Sequence, residues 1–279
     1  MQEAPVELPP RQLILSLYGL YARAEGAWLS VASLIALMEV LGLDGTAVRS
    51  SVSRLKRRGV LTSARRDGRA GYALSADALE VLREGDARIW SRPRATPADG
   101  WLVVVFSVPE AERQQRHALR AQLTRLGFGT AAPGVWVAPG TLLQETVSVL
   151  DRHALTGYTE LFRGDYLGSG EVGRRMREWW DLDRLSELYD GFLAAYEPEL
   201  ARLRNPGPRT AFATYVPMLT GWRRLPYLDP GLPLEHLPAD WAGIRAGEVF
   251  TRLDRRLRTR AETFARGLVR NDQPANARR

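Results

Sequence analysis

From Thr46 to Ala64 the chain carries no acidic residue, yet this stretch holds Arg49, Arg54, Lys56, Arg57 and Arg58. Val48, Val52 and Leu55 recur at i, i+4 and i+7, so the run reads as a helix with one apolar stripe, ended by Gly59. Its remaining surface is cationic and hydroxylic: Thr46, Arg49, Ser50, Ser53, Arg54, Lys56, Arg57 and Arg58. A solvated structural helix normally mixes charge signs to gain i,i+4 pairs. A one-sign face tolerates self-repulsion, which makes physical sense where phosphates neutralise it. The competing reading is an ordinary solvated basic face.

The surroundings weigh against that competitor. Leu13, Leu17, Leu20 and Tyr21 give a first helix over 11–24, and Ser30 is placed to cap a second with Leu34, Leu37, Met38 and Leu41 inside. Gly42 ends it, and Gly42-Leu43-Asp44 leaves only a tight turn before the cationic helix. Behind that helix, Val60–Thr62 and Tyr72–Leu74 read as strands. Asp67-Gly68 between them is a hairpin turn flanked by Arg65, Arg66 and Arg69. Helix, turn, helix and basic hairpin in this order make a winged helix-turn-helix, with the third helix suited to the major groove of double-stranded DNA. The following helix, 75–90, is acidic instead, with Asp77, Glu80, Glu84 and Asp86.

At 279 residues the chain suits several small cores rather than one. Net charge is +7 and Lys56 is the sole lysine. Arginine suits bidentate phosphate and guanine contacts, although a GC-rich genome gives the same bias. With no cysteine there is no disulfide or thiolate metal site, and His117, His153 and His236 lack ligand spacing. No metal or other cofactor is expected. Nor does any apolar run approach the ~20 residues that span a bilayer, and no secretory signal is visible, so a soluble cytoplasmic protein without a membrane partner is expected.

The expected organisation is α+β: the winged unit in 1–90, a Pro-rich linker at 91–99, a ferredoxin-like domain at 100–170, a mainly helical domain at 174–270 and a disordered tail at 271–279. In the middle piece, Trp101–Phe106, Gly134–Val137 and 158–167 read as strands. Helices from about Glu110 and over Thr141–His153 alternate with them, a β-α-β-α-β order of ferredoxin-like type suited to dimerisation. The layout resembles the CRISPR-associated ferredoxin-like nucleases, whose metal is held by an aspartate ending the first strand. Ser107 occupies that position, and a hydroxyl does not replace a carboxylate as a divalent-metal anchor, so the domain reads as structural. Toward the C-terminus, Leu182, Leu185, Leu188, Phe192, Tyr196, Leu200 and Leu203 mark one long helix stopped near Pro206. A second, 210–222, is expected to be disturbed at Pro217, and a final helix carries Phe250, Leu253, Leu257, Ala261 and Phe264 inward. The proline-rich stretch before it reads as a stiff loop.

Five segments resemble the PaaX-type regulators of phenylacetic acid catabolism. They are Leu-Tyr-Gly at Leu17–Gly19, the Ala-Val-Arg pattern of Ala47–Leu55, and Gly-Phe-Gly…Pro-Gly-Val-Trp at Gly127–Trp136. The most specific are Trp-Arg-Arg…Asp-Pro-Gly-Leu-Pro from Trp222 and Leu-Pro-Ala-Asp-Trp-Ala-Gly from Leu237. The resemblance spans nearly the whole chain and implies a non-enzymatic homodimeric repressor, released from its operator by an aryl-CoA thioester such as phenylacetyl-CoA. Where many members place His and an acid before Trp-Arg-Arg, this chain has Thr220 and Gly221. A site for such an effector needs arginines beside an aromatic slot, and Trp222, Arg223, Arg224, Tyr227 and Trp241, joined by Trp136, are the candidates. Alternatively these tryptophans build a domain interface and the arginines pair with Asp229 or Asp240. The rival functions are a metal-dependent nuclease using the middle domain and a sequence-indifferent DNA binder.

Overall fold

A computed structural model describes residues 8–23, 26–90, 94–168 and 172–271. The expected tail from 272 onward and part of the expected linker, 91–93, lie outside the described residues. The chain forms two compact units. One comprises the N-terminal part to Ala87, Phe192–Trp222 and the part from Ala246 onward; the other is Arg88–Gly191 with Arg223–Arg245. The C-terminal stretch expected as a separate helical domain is thus divided between them.

In the first unit, α1 (Pro10–Leu17) runs into a π-helical turn, Tyr18–Ala22. Ile14 is buried within α1, and across the wider turn Tyr18, Tyr21 and Ala22 are buried while Leu20 is only partly so. Helix α2 (Val31–Val40) starts where expected: the Ser30 hydroxyl accepts the Ser33 N–H at 2.9 Å. Gly42, at φ +81°, ends it, because that backbone conformation costs glycine least. Helix α3 (Gly45–Arg57) buries Val48, Ser51, Val52 and Leu55. The short strand β1 (Trp28–Ser30), β2 (Leu61–Arg66) and β3 (Arg69–Leu74) form an antiparallel sheet in the order β1-β3-β2. Asp67 and Gly68 both have positive φ, as a two-residue type I′ hairpin requires. Helix α4 (Ala76–Trp90) follows.

The same unit includes α10 (Pro208–Trp222), which runs on through Pro217, and most of α12 (Ala242–Asn271). Proline removes one helical hydrogen bond at Pro217, and the surrounding turn stays helical with Val216, Met218 and Leu219 all buried. Tyr21 packs on Phe212 and Phe212 on Phe264, with ring centroids 5.8 and 5.2 Å apart. The buried hydroxyls of Ser16 and Thr220 meet at 2.7 Å, and that of Thr220 also lies 2.7 Å from the Val216 carbonyl.

In the second unit, β4 (Trp101–Phe106), β5 (Gly129–Ala132), β6 (Val135–Pro139) and β7 (Thr159–Gly164) form an antiparallel sheet ordered β5-β6-β4-β7. Helices α5 (Arg113–Leu126) and α6 (Leu143–Arg152) complete a β-α-β-β-α-β unit, so the expected ferredoxin-like order lacked only β5. Leu102, Val104, Leu119, Leu123, Trp136 and Leu150 share its core. Helix α7 (Val172–Trp179) brings Trp179 and Trp180 within 6.0 and 6.1 Å of the Trp101 ring. The expected long helix from Leu182 breaks into α8 (Leu182–Tyr196), which begins in this unit and ends in the first, and the single turn α9 (Glu199–Arg202), which belongs to the first, because Pro198 lacks the N–H to continue it. A one-turn helix, α11 (Leu225–Leu228), sits in the proline-rich stretch.

Arg94–Asp99, expected as linker, is fastened within this unit. The Ala95 N–H donates to the Gly231 carbonyl at 2.8 Å, and Arg94 pairs with the buried Asp229 at 2.8 Å. Among the described residues, no helix is long and apolar enough to cross a membrane.

Candidate nucleic-acid interface

Helix α3 owes its start to Asp44, whose carboxylate accepts the N–H groups of Thr46 and Ala47 at 2.7 and 2.8 Å. With the apolar stripe inward, Thr46, Arg49, Ser50, Ser53, Arg54, Lys56, Arg57 and Arg58 are all exposed. Among the described residues, Arg49, Arg54, Arg57 and Arg58 form no side-chain ion pair, whereas Arg23 in the same unit is held by both oxygens of Asp86 at 2.8 and 2.9 Å. Arg54, Lys56 and Arg57 also lie in the last turn of α3, where the helix dipole favours cations. That local gain is tenths of a kcal/mol per residue and leaves the charge exposed.

The hairpin is tied to this helix and to β1. Lys56 lies 5.8 Å above the Tyr72 ring, and the Tyr72 carbonyl accepts the buried Tyr18 hydroxyl at 2.9 Å. Burial pushes the Tyr18 phenol well above its ordinary pKa, so it remains a donor. Arg66 and Arg69 flank one another in register across the turn and both lie over the Trp28 indole, at 5.6 and 5.4 Å from its ring. Arg66 also donates to the Gly26 carbonyl at 2.6 Å. Arg65 is exposed. Trp28 lies so close to β3 that a Cβ on Gly71 would fall 2.4 Å from its ring and 2.4 Å from the Leu29 carbonyl oxygen. Trp28 and Gly71 act across a β1–β3 pairing that no local sequence pattern announces, and Asp44 contributes as a cap rather than through the cationic face.

The residues expected for an effector site are placed differently. Trp136 is part of the ferredoxin-like core and faces Val104 across β6 and β4. In the first unit, Trp222 stacks on Phe250 at 4.4 Å, with the rings 9° from parallel, and packs against Phe192. In the second, Tyr227 is partly buried with the Arg88 guanidinium 5.0 Å from its ring, and Trp241 packs edge-on against Tyr189. Arg224 is exposed, while burial pulls the Arg223 guanidinium below its usual pKa. Asp229 accepts from Arg94, the Tyr189 hydroxyl and the Gly231 N–H. Ser107 follows β4, its N–H bonded to the Tyr158 carbonyl at 3.1 Å. Among the described residues, no group of three or more His, Asp or Glu gathers as metal ligands would.

The fold therefore defines a mixed helix and sheet protein, with an exposed basic helix and hairpin in one unit and a ferredoxin-like sheet in the other. Three family models match it in succession: the PaaX-like protein model over residues 9–78, the PaaX protein central Cas2-like domain over 94–175, and the PaaX-like protein C-terminal domain over 180–267. This chain belongs to the PaaX family. It is 27% identical over 259 residues to the transcriptional repressor PaaX of Escherichia coli strain K12, covering 90% of this chain and 81% of the relative. The uncharacterized protein Rv0674 from Mycobacterium tuberculosis shares the fold, with a TM-score of 0.58 at 23% identity over 93% of this chain and all of that one.

Proposed function

We propose that this protein is a transcriptional repressor that binds double-stranded operator DNA through its N-terminal unit. In this reading α2 and α3 are a helix-turn-helix, α3 enters the major groove, and the β2–β3 hairpin is a wing on the flanking backbone or minor groove. The observation that carries it is the exposed face of α3, on which hydroxyls and four arginines without ion pairs among the described residues stand with no acid between them. Ser50, Ser53 and Arg54 are the base readers; Thr46, Arg49, Lys56, Arg57, Arg58, Arg65, Arg66 and Arg69 meet the backbone. The Escherichia coli relative, named a transcriptional repressor, supports the regulatory role. Two chains bind an inverted repeat as a homodimer, and a small effector of the aryl-CoA thioester class releases them, which the family resemblance suggests.

A gel shift on the intergenic DNA upstream of the gene tests this. The full chain should bind there at least ~10³-fold more tightly than random competitor DNA. Arg57→Ala should weaken binding to every sequence and lower the salt slope by about 0.9. Arg54→Ala should change base preference by ~1–3 kcal/mol. Undiminished binding in both variants would remove α3 from the interface, and equal affinity for random DNA would leave a sequence-indifferent binder.

A further inference from the structure

Helix α7 and the turn Leu234–His236 bound a cavity of about 620 Å³, lined by Val172, Arg174, Arg177, Glu235, His236 and Leu237, all in the second unit. This volume falls in the range of small-molecule sites. The two elements approach closely, since a Cβ on Gly173 would lie 3.0 Å from the His236 carbonyl oxygen. Arg174 and Arg177 stand three residues apart, on one side of α7, and repel one another unless a counter-charge intervenes. Their neighbour Arg175 has such a partner in Glu178 at 2.7 Å. Arg174 and Arg177 have none, with no side-chain hydrogen bond or ion pair among the described residues. Met176, on the other side, is fully buried and fixes the helix's orientation. Among the described residues the one acid on the wall, Glu235, lies 3.3 Å from the His236 imidazole.

We propose that this cavity binds a small organic phosphate, with Arg174 and Arg177 gripping the phosphoryl oxygens and Val172 and Leu237 receiving an apolar portion. Two guanidinium charges are balanced by a phosphate monoester, which carries about −1.5 to −2 at neutral pH and presents three terminal oxygens, and only half balanced by a single carboxylate. None of the aromatic residues expected around an effector lines this cavity, so the site is separate from them. Binding itself is independent of the repressor reading; only its use as a release signal rests on that reading.

The test is a titration of the full chain, followed by ³¹P and ¹H NMR, with phenyl phosphate and with benzoate as the carboxylate of matched size. Phenyl phosphate should bind, and Arg174→Ala/Arg177→Ala should weaken it at least tenfold. Arg175→Ala, an exposed pair removed elsewhere on α7, should leave it within twofold. Absence of phenyl phosphate binding, equal binding by the double variant, or equal affinity for benzoate overturns the assignment. Failure of the ligand-free protein to bind any operator DNA would instead overturn the repressor reading and leave the cavity result standing.

Discussion

Replacing Gly71 by alanine adds one methyl group where the structure has no room for it. The new Cβ would meet the Leu29 carbonyl oxygen at 2.4 Å and the Trp28 ring at 2.4 and 2.5 Å. Neither neighbour is the loose end of a flexible chain: Leu29 belongs to the β1–β3 ladder, and Trp28 is nearly buried. Relief requires β1 to move off β3 or the indole to leave its place. Overpacking of this kind costs about 1–3 kcal/mol. For a chain of this size, each kcal/mol lowers Tm by about 2–4 °C. The change should also reach the hairpin, because the same indole supports Arg66 and Arg69. If both arginines meet phosphates, freeing them lowers the slope of log affinity against log salt by up to about 1.8, at ~0.9 per contact. Thermal unfolding by circular dichroism and a fluorescence-anisotropy salt series read the two effects separately. A Gly71→Ala protein with parental Tm and parental slope would refute the packing argument. A lowered Tm with an unchanged slope would refute only the role of Trp28 as a platform for the wing.

Two further outcomes follow from buried polar groups. Ser16→Ala should destabilise the first unit by about 0.5–1.5 kcal/mol in urea unfolding, since one buried hydrogen bond is lost while the Thr220 hydroxyl keeps the Val216 carbonyl; a double-mutant cycle with Thr220→Val should show the two losses to be coupled. Burial pushes the Tyr196 phenol up to about 12, above its ordinary value near 10. A pKa raised on folding stabilises the protein fully below pH 10 and is lost as pH rises toward 12. Tm measured from pH 9 to 12 should therefore fall, with Tyr196→Phe reducing the drop by at most about 3 kcal/mol equivalent.

What was legible in the sequence was chiefly what local backbone chemistry decides. Ser30 announces a helix start, Gly42 and Gly59 two helix ends, and Asp67-Gly68 a hairpin, because each residue type answers a demand of its own few neighbours. The cationic side of α3 was equally readable, its apolar stripe fixing which side turns outward. Short strands were not. Trp28–Ser30 has no alternation, being buried throughout and abutting a helix cap, and Gly129–Ala132 offers almost no apolar side chain to read. Pro198 is masked in the sequence because leucines on both sides keep helical spacing across it. The aromatic residues grouped as an effector slot were beyond local reading, since Trp136 and Trp222 are claimed by partners far away in sequence, Val104 and Phe250. Arg174 and Arg177 carry no motif, and their interest comes from the ion pairs that neither makes among the described residues.

The C-terminal helices that complete the first unit have a consequence for how such a protein is built and inherited. Tyr21 and Ser16, near the start of the chain, find their neighbours in Phe212 and Thr220, roughly two hundred residues later. The basic helix is therefore no detachable cassette. A gene fragment ending after α4 would leave apolar side chains of α1 bare to water, so recombination that swaps the first third of the chain between relatives must carry the matching C-terminal helices along.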